Sequence, residues 1–287
     1  MVGQRTLTQA FGGSNPSGAA TLPEKPAHVA GFSLAVDNGR MATLLPPPYT
    51  PPAALLSQLR GHGHAVLAPE AVEALCGVDA AALQALAPSW DALPPDDYLR
   101  DGGRYRHRRH ACFVVEDDAL VQAPHRAHWQ SLDYNALHGG MHRWFEPIEA
   151  GVTAQPAWTR TLVALARLFS QLRDVDRWHV EAHQFRIDTA EGIGRPTPEG
   201  AHRDGVDFVA VFLVAREGIK GGESRVFEAD GPDGQRFTLL RPWSLLLLDD
   251  ARVIHESTPI QPEDPAAPGH RDTLVLTYRA GGFQGEA

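Results

Sequence analysis

The chain has 287 residues with a formal net charge of −9, which argues against a general nucleic-acid-binding protein, since such proteins are usually basic. Hydrophobic residues make up 43% of the chain, yet no run approaches the ~18 apolar residues that a membrane-spanning helix needs, so we expect no membrane partner. With only two cysteines, Cys76 and Cys112, and no apolar stretch behind the N-terminal residues, we expect a cytoplasmic protein with free thiols.

The first half of the chain divides into a leader and a helical part. Residues 1–50 are rich in Gly, Pro, Ser and Ala and are predicted to form a flexible leader. Residues 51–287 are predicted to form a single domain, whose first part, 51–175, is mainly helical. Apolar residues at helical spacing predict helices at residues 53–60, 69–76, 80–86 and 158–172.

A basic segment interrupts this helical part. Residues 104–110 read Arg-Tyr-Arg-His-Arg-Arg-His and lead into an apolar strand at 111–115. One interpretation is a solvated strand edge. The other is a cationic wall for an acidic substrate group, because a guanidinium matches a carboxylate with two hydrogen bonds. Both interpretations stay open on the sequence alone.

From residue 176 onward the pattern changes to the period of two that is typical of strands. In the strand 179–187, Val180, Ala182, Gln184 and Arg186 share one face, and His179, Glu181, His183, Phe185 and Ile187 share the other. Further short strands follow, separated by turns such as Asp230–Gly234 and without alternating helices. The fold class is therefore predicted as α+β with a mainly β core. We expect an antiparallel jelly roll over 176–287, with helices packed against one sheet.

Three residues in this half have the composition of a metal site. His202 and Asp204 are two positions apart, so an extended backbone points both side chains to one face. His255 follows another apolar run, Ser244–Leu248. Two imidazoles and one carboxylate form the facial triad of non-haem Fe(II) oxygenases. A His-x-Asp pair alone is more typical of a hydrogen-bonded surface pair, and the second histidine is what favours the metal.

The last strand, 271–279, adds a cationic group. Arg271, Thr273 and Thr277 share a polar face, and Leu274 and Leu276 share the apolar face. That polar face either meets water or lines a cavity with a charged ligand. In the second case Arg271 and Thr273 would hold a dicarboxylate through a salt bridge and a hydroxyl hydrogen bond.

These segments, taken together, resemble a known family. The matching segments are His183–Arg186, His202–Asp204, Gly221–Ser224, Val253–Pro259 and Arg271–Thr277. In this order and at similar spacing they resemble the 2-oxoglutarate/Fe(II) dioxygenases that include bacterial L-isoleucine 4-hydroxylase and biofilm- and stress-associated relatives. The resemblance covers the C-terminal third to half of the chain.

The resemblance implies a double-stranded β-helix (jelly roll) with iron held by His202, Asp204 and His255. It implies that Arg271, helped by Thr273, binds the distal carboxylate of 2-oxoglutarate. The cofactors would be Fe(II), 2-oxoglutarate as cosubstrate, and O2. The reaction would hydroxylate an unactivated C–H bond and release succinate and CO2.

The family's substrate is typically a free L-amino acid, so a small molecule with an ammonium and a carboxylate is expected here. The candidate substrate-binding residues are Arg104, Gln184, Arg186 and Asp207. A cross-strand polar pair is an equal alternative for Gln184 and Arg186. A homodimer is left open.

Three other functions compete with this one. The first is a non-catalytic, metal-binding jelly roll with a regulatory role in biofilm formation or stress. The second is a zinc hydrolase, because His and Asp also bind zinc. The third is an oxygenase acting on nucleic acid or on protein side chains, and the acidic net charge argues against nucleic acid. The intact combination of the three ligands with Arg271 favours the hydroxylase.

Overall fold

The computed structural model describes residues 44–135 and 137–285. Most of the leader predicted for residues 1–50 lies outside these ranges. Five helices occur in the described part: α1 Leu55–His62, α2 Pro69–Cys76, α3 Ala80–Gln84, α4 Ala150–Thr153 and α5 Pro156–Ser170. Two 3₁₀ turns, Pro52–Ala54 and Ala87–Ala92, lie before α1 and after α3.

Twelve strands are described within the same ranges. They are β1 His64–Leu67, β2 Arg106–Glu116, β3 Ala119–Gln122, β4 Arg177–Asp188, β5 Phe208–Glu217, β6 Ile219–Gly221, β7 Ser224–Glu228, β8 Gly234–Phe237, β9 Leu245–Asp249, β10 Val253–Ser257, β11 Ile260–Pro262 and β12 His270–Arg279. Their paired neighbours all run antiparallel.

The strands form one large sheet and two small ones. The large sheet has the order β1-β9-β5-β12-β4-β2-β3. A three-stranded sheet has the order β10-β7-β8, and β11 pairs with β6. This arrangement confirms the prediction of a mainly β, jelly-roll core with helices on one sheet.

The large sheet is buried on both faces, and the strand alternation decides what each face packs against. In β5, Phe208 and Phe212 belong to the apolar core shared with the helices. Val209 and Leu213 of the same strand belong to a second core with Val226 of β7. A central strand between two layers is apolar on both faces for this reason.

Helix α5 covers the outer face of the large sheet. Pro156 opens the helix, where a missing backbone N–H costs nothing. Phe169 of α5 stacks on Phe208 with ring centroids 4.3 Å apart, and its edge meets Tyr278 of β12. The predicted helix 158–172 therefore exists, shifted by two residues, and it fixes the sheet that carries the site.

The strands β1, β2 and β3 come from the half that was expected to be mainly helical, and all three join the large sheet. The predicted hairpin around Asp230–Gly234 is present as β7 and β8. Residues 219–221 form the short strand β6, which pairs with β11. Short apolar segments of this kind carry too little pattern to reveal a distant partner.

Within residues 44–135 and 137–285, no single helix has both the length and the apolar character to cross a membrane. By length and composition alone, one bent pair, Pro69–Cys76 with Ala80–Ala92, would pass the test together.

The stacked rings of Phe169 and Phe208 provide a test of this packing. Phe208 is fully buried, so Phe208→Ala should lower the free energy of unfolding by about 3–5 kcal/mol through lost burial and a residual cavity. Val121→Ala, at a side chain 62% exposed, should change it by less than about 0.5 kcal/mol. Urea unfolding followed by circular dichroism measures both, and equal effects would contradict the described core.

Candidate active site

A cavity lies on the inner face of the large sheet, on the side away from the helices. Its wall is formed by alternate residues of β2, β4 and β12, and loops and β10 complete it. The charged and polar side chains that line the cavity include Arg106, Arg108, His128, Gln130, Arg143, Glu181, His183, Glu199, His202, Asp204, His255, Arg271 and Thr273. Titratable groups of both signs therefore converge on one enclosed space, as expected of an active site.

The three predicted metal ligands meet at one end of this cavity. His202 Nε2 lies 3.9 Å from one oxygen of Asp204, and His255 Nε2 lies 3.7 Å from the other. All three potential ligand atoms lie within 4.8 Å of one another. The two imidazole rings are 4.6 Å apart between centroids. The three residues predicted to form a metal site therefore lie close together in the structure, and the group could hold a metal ion.

The backbone fixes this convergence. His202 and His255 form an isolated antiparallel bridge in which each backbone N–H donates to the other's carbonyl at 3.0 Å. His202 Nδ1 lies 3.0 Å from the Gly200 carbonyl. If that nitrogen carries the proton, Nε2 keeps its lone pair for a metal.

Asp250 anchors the turn that carries the third ligand. Its carboxylate accepts hydrogen bonds from the backbone N–H groups of Asp204, Gly205 and Val206, at 2.9, 2.8 and 3.2 Å. Gly205 has a φ of +78°, which few other residues adopt without strain. The side chain of Asp204 is therefore aimed by a backbone that is itself held in place.

The charges of this group suit a divalent cation. Burial, aided by the nearby carboxylates of Asp250 and Glu199, raises the pKa of Asp204 to about 6, against the opposing effects of His202 and of the hydrogen bond from Gln130. Burial lowers the pKa of His255 well below its usual value, and His202 adds to this. A dication would relieve the repulsion among the carboxylates and would meet His255 as a neutral ligand. The donor set therefore fits a metal ion.

Arg271 and Thr273 lie on the cavity face of β12, as the alternation predicts. Arg271 is only 4% exposed. Burial lowers its pKa to about 10, and Arg216 on the neighbouring strand adds to this. Within the described ranges, no carboxylate lies within ion-pair distance of its guanidinium. A buried, unpaired cation is costly, so this end of the cavity is built to receive an anion.

Arg216, to which no sequence pattern points, and Gly222 both lie next to Arg271. Arg216 is the register partner of Arg271 on β5, and its Nη1 is buried without a hydrogen-bond partner in the described chain. Gly222 has a φ of +68°, and a Cβ there would lie 3.0 Å from that Nη1 and 3.6 Å from Cδ of Arg271. The glycine leaves room for both guanidinium groups.

The four predicted substrate residues do not line the cavity. Arg104 is exposed ahead of β2. Gln184 and Arg186 lie on the helix-side face of β4, where Gln184 donates to Ser89 at 2.7 Å and Arg186 pairs with Asp272 at 2.7 Å. Asp207 accepts from the backbone N–H of Ala280. For Gln184 and Arg186, strand alternation gives two faces without saying which one meets the cavity.

The side chains that line this wall instead come from the other face of β4 and from β2. Glu181 and His183 of β4 point into the cavity, next to Arg106 and Arg108 of β2. Arg143 joins them from a loop. The basic segment at 104–110 therefore supplies a cationic wall, as one interpretation of the sequence holds. Because side chains alternate along β2, which starts at Arg106, Arg106 and Arg108 share the face that lines the cavity.

The chain matches the family model described as 2OG-Fe dioxygenase over residues 87–277. This is most of the chain, and the protein belongs to that family. It is therefore an Fe(II)/2-oxoglutarate-dependent dioxygenase whose cofactors are Fe(II), 2-oxoglutarate and O2, and its substrate is a small molecule. The expectations of a non-catalytic jelly roll and of a zinc hydrolase are not supported.

Solved structures agree with this family. A bsmA homologue from Methylobium petroleophilum PM1 is 56% identical, with a TM-score of 0.79, covering 83% of this chain and 97% of its own. IDO from Bacillus thuringiensis shares the fold at 18% identity and a TM-score of 0.66, covering 81% of this chain and 100% of its own. The Fe(II)/α-ketoglutarate-dependent dioxygenase TqaL shares the fold at 17% identity and a TM-score of 0.63, covering 82% and 88%. No match was found among curated protein sequences.

The role of Asp250 as an anchor predicts an effect on metal affinity. Asp250→Asn replaces one acceptor oxygen by an N–H₂ group that faces backbone N–H donors, so the turn holding Asp204 should loosen. We expect Co(II) to bind about 10- to 100-fold more weakly, as measured by spectrophotometric titration of the metal-free protein. Asp97→Asn, at an exposed position, is the matched control. Unchanged Co(II) affinity in Asp250→Asn would show that the anchor does not position the ligand.

Proposed function

We propose that His202, Asp204 and His255 hold the catalytic iron and that Arg271, with Thr273, holds the distal carboxylate of 2-oxoglutarate. The observation that carries this proposal is that both groups line one cavity and have complementary needs. The three ligands form a site for a cation, and the buried guanidinium needs an anion. A dicarboxylate that also chelates the metal satisfies both requirements.

The bound iron and cosubstrate supply the oxidative chemistry, and the chain supplies orientation and a closed surrounding. Arg271, with Thr273, would hold one end of 2-oxoglutarate and leave its 2-oxo acid end for the metal. The side chains that β2, β4 and β12 contribute to the wall are largely buried, which would limit the water around a bound substrate. Gln130 donates to Asp204 at 3.3 Å and keeps this ligand oriented.

We further propose that the substrate is a free L-amino acid, hydroxylated at an unactivated carbon with release of succinate and CO2. A zwitterion needs both a cation and an anion from the protein. The wall formed by β2 and β4 offers guanidinium groups and a carboxylate side by side, at Arg106, Arg108 and Glu181. A substrate of this kind also matches the small-molecule chemistry of the family.

The metal and cosubstrate assignments can be tested without turnover. Under anaerobic conditions, Fe(II) and 2-oxoglutarate together should give the wild-type protein a visible charge-transfer absorption. His202→Ala should abolish it, because two remaining ligands hold iron poorly. Absence of the band in the wild-type protein at saturating reagents would contradict the proposal.

Arg271→Ala should keep iron and weaken 2-oxoglutarate by about 2–3 kcal/mol, or roughly 30- to 150-fold in Kd, because a charge-assisted hydrogen-bond pair is lost. A titration of the same absorption measures this. Arg104→Ala removes an exposed arginine outside the cavity and should leave the Kd unchanged. Equal Kd values for Arg271→Ala and wild type would disprove the cosubstrate assignment.

The substrate class requires a turnover assay. A panel of L-amino acids incubated with Fe(II), 2-oxoglutarate and O2 should contain at least one member that stimulates succinate formation and gains one oxygen atom by mass spectrometry. Succinate formation that no panel member stimulates would refute the amino-acid substrate, while leaving the iron and cosubstrate assignments standing.

A further inference from the structure

Glu181 is held on the cavity wall by histidines. His110 Nε2 lies 3.0 Å from Oε2 of Glu181, and His128 Nδ1 lies 2.6 Å from the same oxygen. His183 Nε2 is 3.9 Å from that oxygen as well. All these contacts use Oε2, so Oε1 has no hydrogen bond to the described residues. Glu181 is thus a fixed carboxylate with one oxygen unused.

The histidines around Glu181 are neutral. Burial lowers the pKa of His128 to about 4, against the opposing effect of Glu181. Burial likewise lowers the pKa of His110 and of His183. Neutral imidazoles can orient Glu181 by hydrogen bonds without cancelling its charge. Its negative charge therefore stays available to a cation in the cavity.

Three guanidinium groups lie beside this carboxylate, and each is almost fully buried. Arg106, Arg108 and Arg143 are 5%, 3% and 2% exposed. Asp96 accepts a hydrogen bond from Nε of Arg106 at 2.7 Å. Nonetheless Arg106 Nη2, Arg108 Nε and Arg143 Nε are buried without a partner in the described parts of the chain. Among the described residues, Asp96 is the one carboxylate within ion-pair distance of any of these three guanidinium groups, so this wall keeps an excess of positive charge that would attract an anion.

We infer that Glu181 and the neighbouring arginines, with Arg143 as the principal one, form the binding site for the α-ammonium and α-carboxylate of the substrate. This inference rests on the proposed function for the kind of substrate and assigns the residues that select it. The two charges of an α-amino acid are separated by only two bonds through the α-carbon, so adjacent recognition groups of opposite sign match them. The rest of the substrate then extends toward the metal ligands in the same cavity.

A second metal ion is the competing interpretation, because His110, His128, Glu181 and His183 bring their ligand atoms within 4.8 Å of one another. Two observations disfavour it. Arg108 donates to Nδ1 of His183 at 2.8 Å, which places the ring proton on Nε2, the atom a metal would need. A dication would also face three guanidinium groups in a site of low dielectric constant. An organic ammonium, with one charge and N–H donors, fits the single free oxygen better.

Gln130 connects this site to the metal end. Its side-chain oxygen accepts from Arg143 at 2.9 Å, while its N–H₂ group donates to Asp204 at 3.3 Å. One amide therefore sets the distance between the arginine that would hold the substrate carboxylate and a metal ligand. The carbon presented for reaction then depends on substrate length measured from this fixed head group.

The test measures binding to the anaerobic enzyme with Fe(II) and 2-oxoglutarate, so that nothing turns over. The probe is whichever of the twenty common L-amino acids raises the melting temperature most. Calorimetry compares it with its 1-amide, which lacks the carboxylate charge, and with its 2-hydroxy analogue, which lacks the ammonium. We expect the wild-type enzyme to bind the amino acid at least about tenfold more tightly than either analogue, as expected for a lost charged hydrogen bond.

The variants locate each charge. Glu181→Gln should weaken the amino acid at least about tenfold and change the 2-hydroxy analogue by less than about threefold. Arg143→Met should weaken the amino acid by a similar factor and change the 1-amide little. Arg104→Met, outside the cavity, is the matched control and should bind all three ligands as the wild type does.

Several results would overturn the inference. These are equal affinities of the wild type for the three ligands, no binding of any amino acid, or variants that weaken all three ligands alike. If Glu199→Gln, and not Glu181→Gln, removes the preference for the amino acid over its 2-hydroxy analogue, the ammonium binds at Glu199 instead of Glu181. A metal ion bound by the double variant His202→Ala/His255→Ala, and lost on Glu181→Gln, would establish the second metal site. If Glu181→Gln does not fold, Arg143→Met compared on the amino acid and the 1-amide still decides, because equal weakening of the two ligands would overturn the inference.

The outcome is separable from that of the proposed function. Selective binding of the zwitterion without any oxygenated product would support the subsite and refute hydroxylation. An oxygenated amino acid formed by an enzyme that binds the three ligands alike would support hydroxylation and refute the subsite.

Discussion

Two backbone hydrogen bonds between His202 and His255 join a loop to strand β10, and the metal end of the cavity depends on them. These hydrogen bonds use backbone atoms only, so both imidazole side chains remain available to face the same point. Asp250 extends this control by binding three successive N–H groups of the turn that carries Asp204. Three ligands from separate segments are thereby placed by main-chain geometry before any ion arrives, which lowers the cost of ordering them on binding.

The large sheet gives the rest of the cavity its chemistry through simple alternation. On β12, Leu274 and Leu276 pack under the helices, while Arg271 and Thr273, which precede them in the strand, face the cavity. Charged side chains can be buried here because the opposite face of the same strand is firmly packed. The buried positive charge of this face costs free energy, which an anionic ligand would offset.

The sequence is informative where a pattern is local and silent where partners are distant. A period of two places His202 beside Asp204 and puts Arg271 and Thr273 on one face of the last strand. It leaves open whether that face meets the cavity, and it does not bring in His255, which only its residue type suggests. The same rule cannot say which face of β4 meets the cavity, and so Gln184 and Arg186 were expected where Glu181 and His183 lie. The contribution of Arg143 depends on where a long loop folds back, and no periodicity encodes that. In the same way, the sequence does not show that β2 begins at Arg106, which leaves Arg104 ahead of the strand and outside the cavity.

The three proposed sites of the cavity come from different parts of the fold: a loop and β10 for the metal, β12 for the diacid, and β2, β4 and the loop of Arg143 for the head group. Among the described residues, the amide of Gln130 links Arg143 to Asp204, a proposed metal ligand. Substitutions on the β2–β4 wall can therefore retune which molecule is accepted while the oxidising apparatus stays intact. This separation would let related enzymes change their substrate while they keep the same reaction.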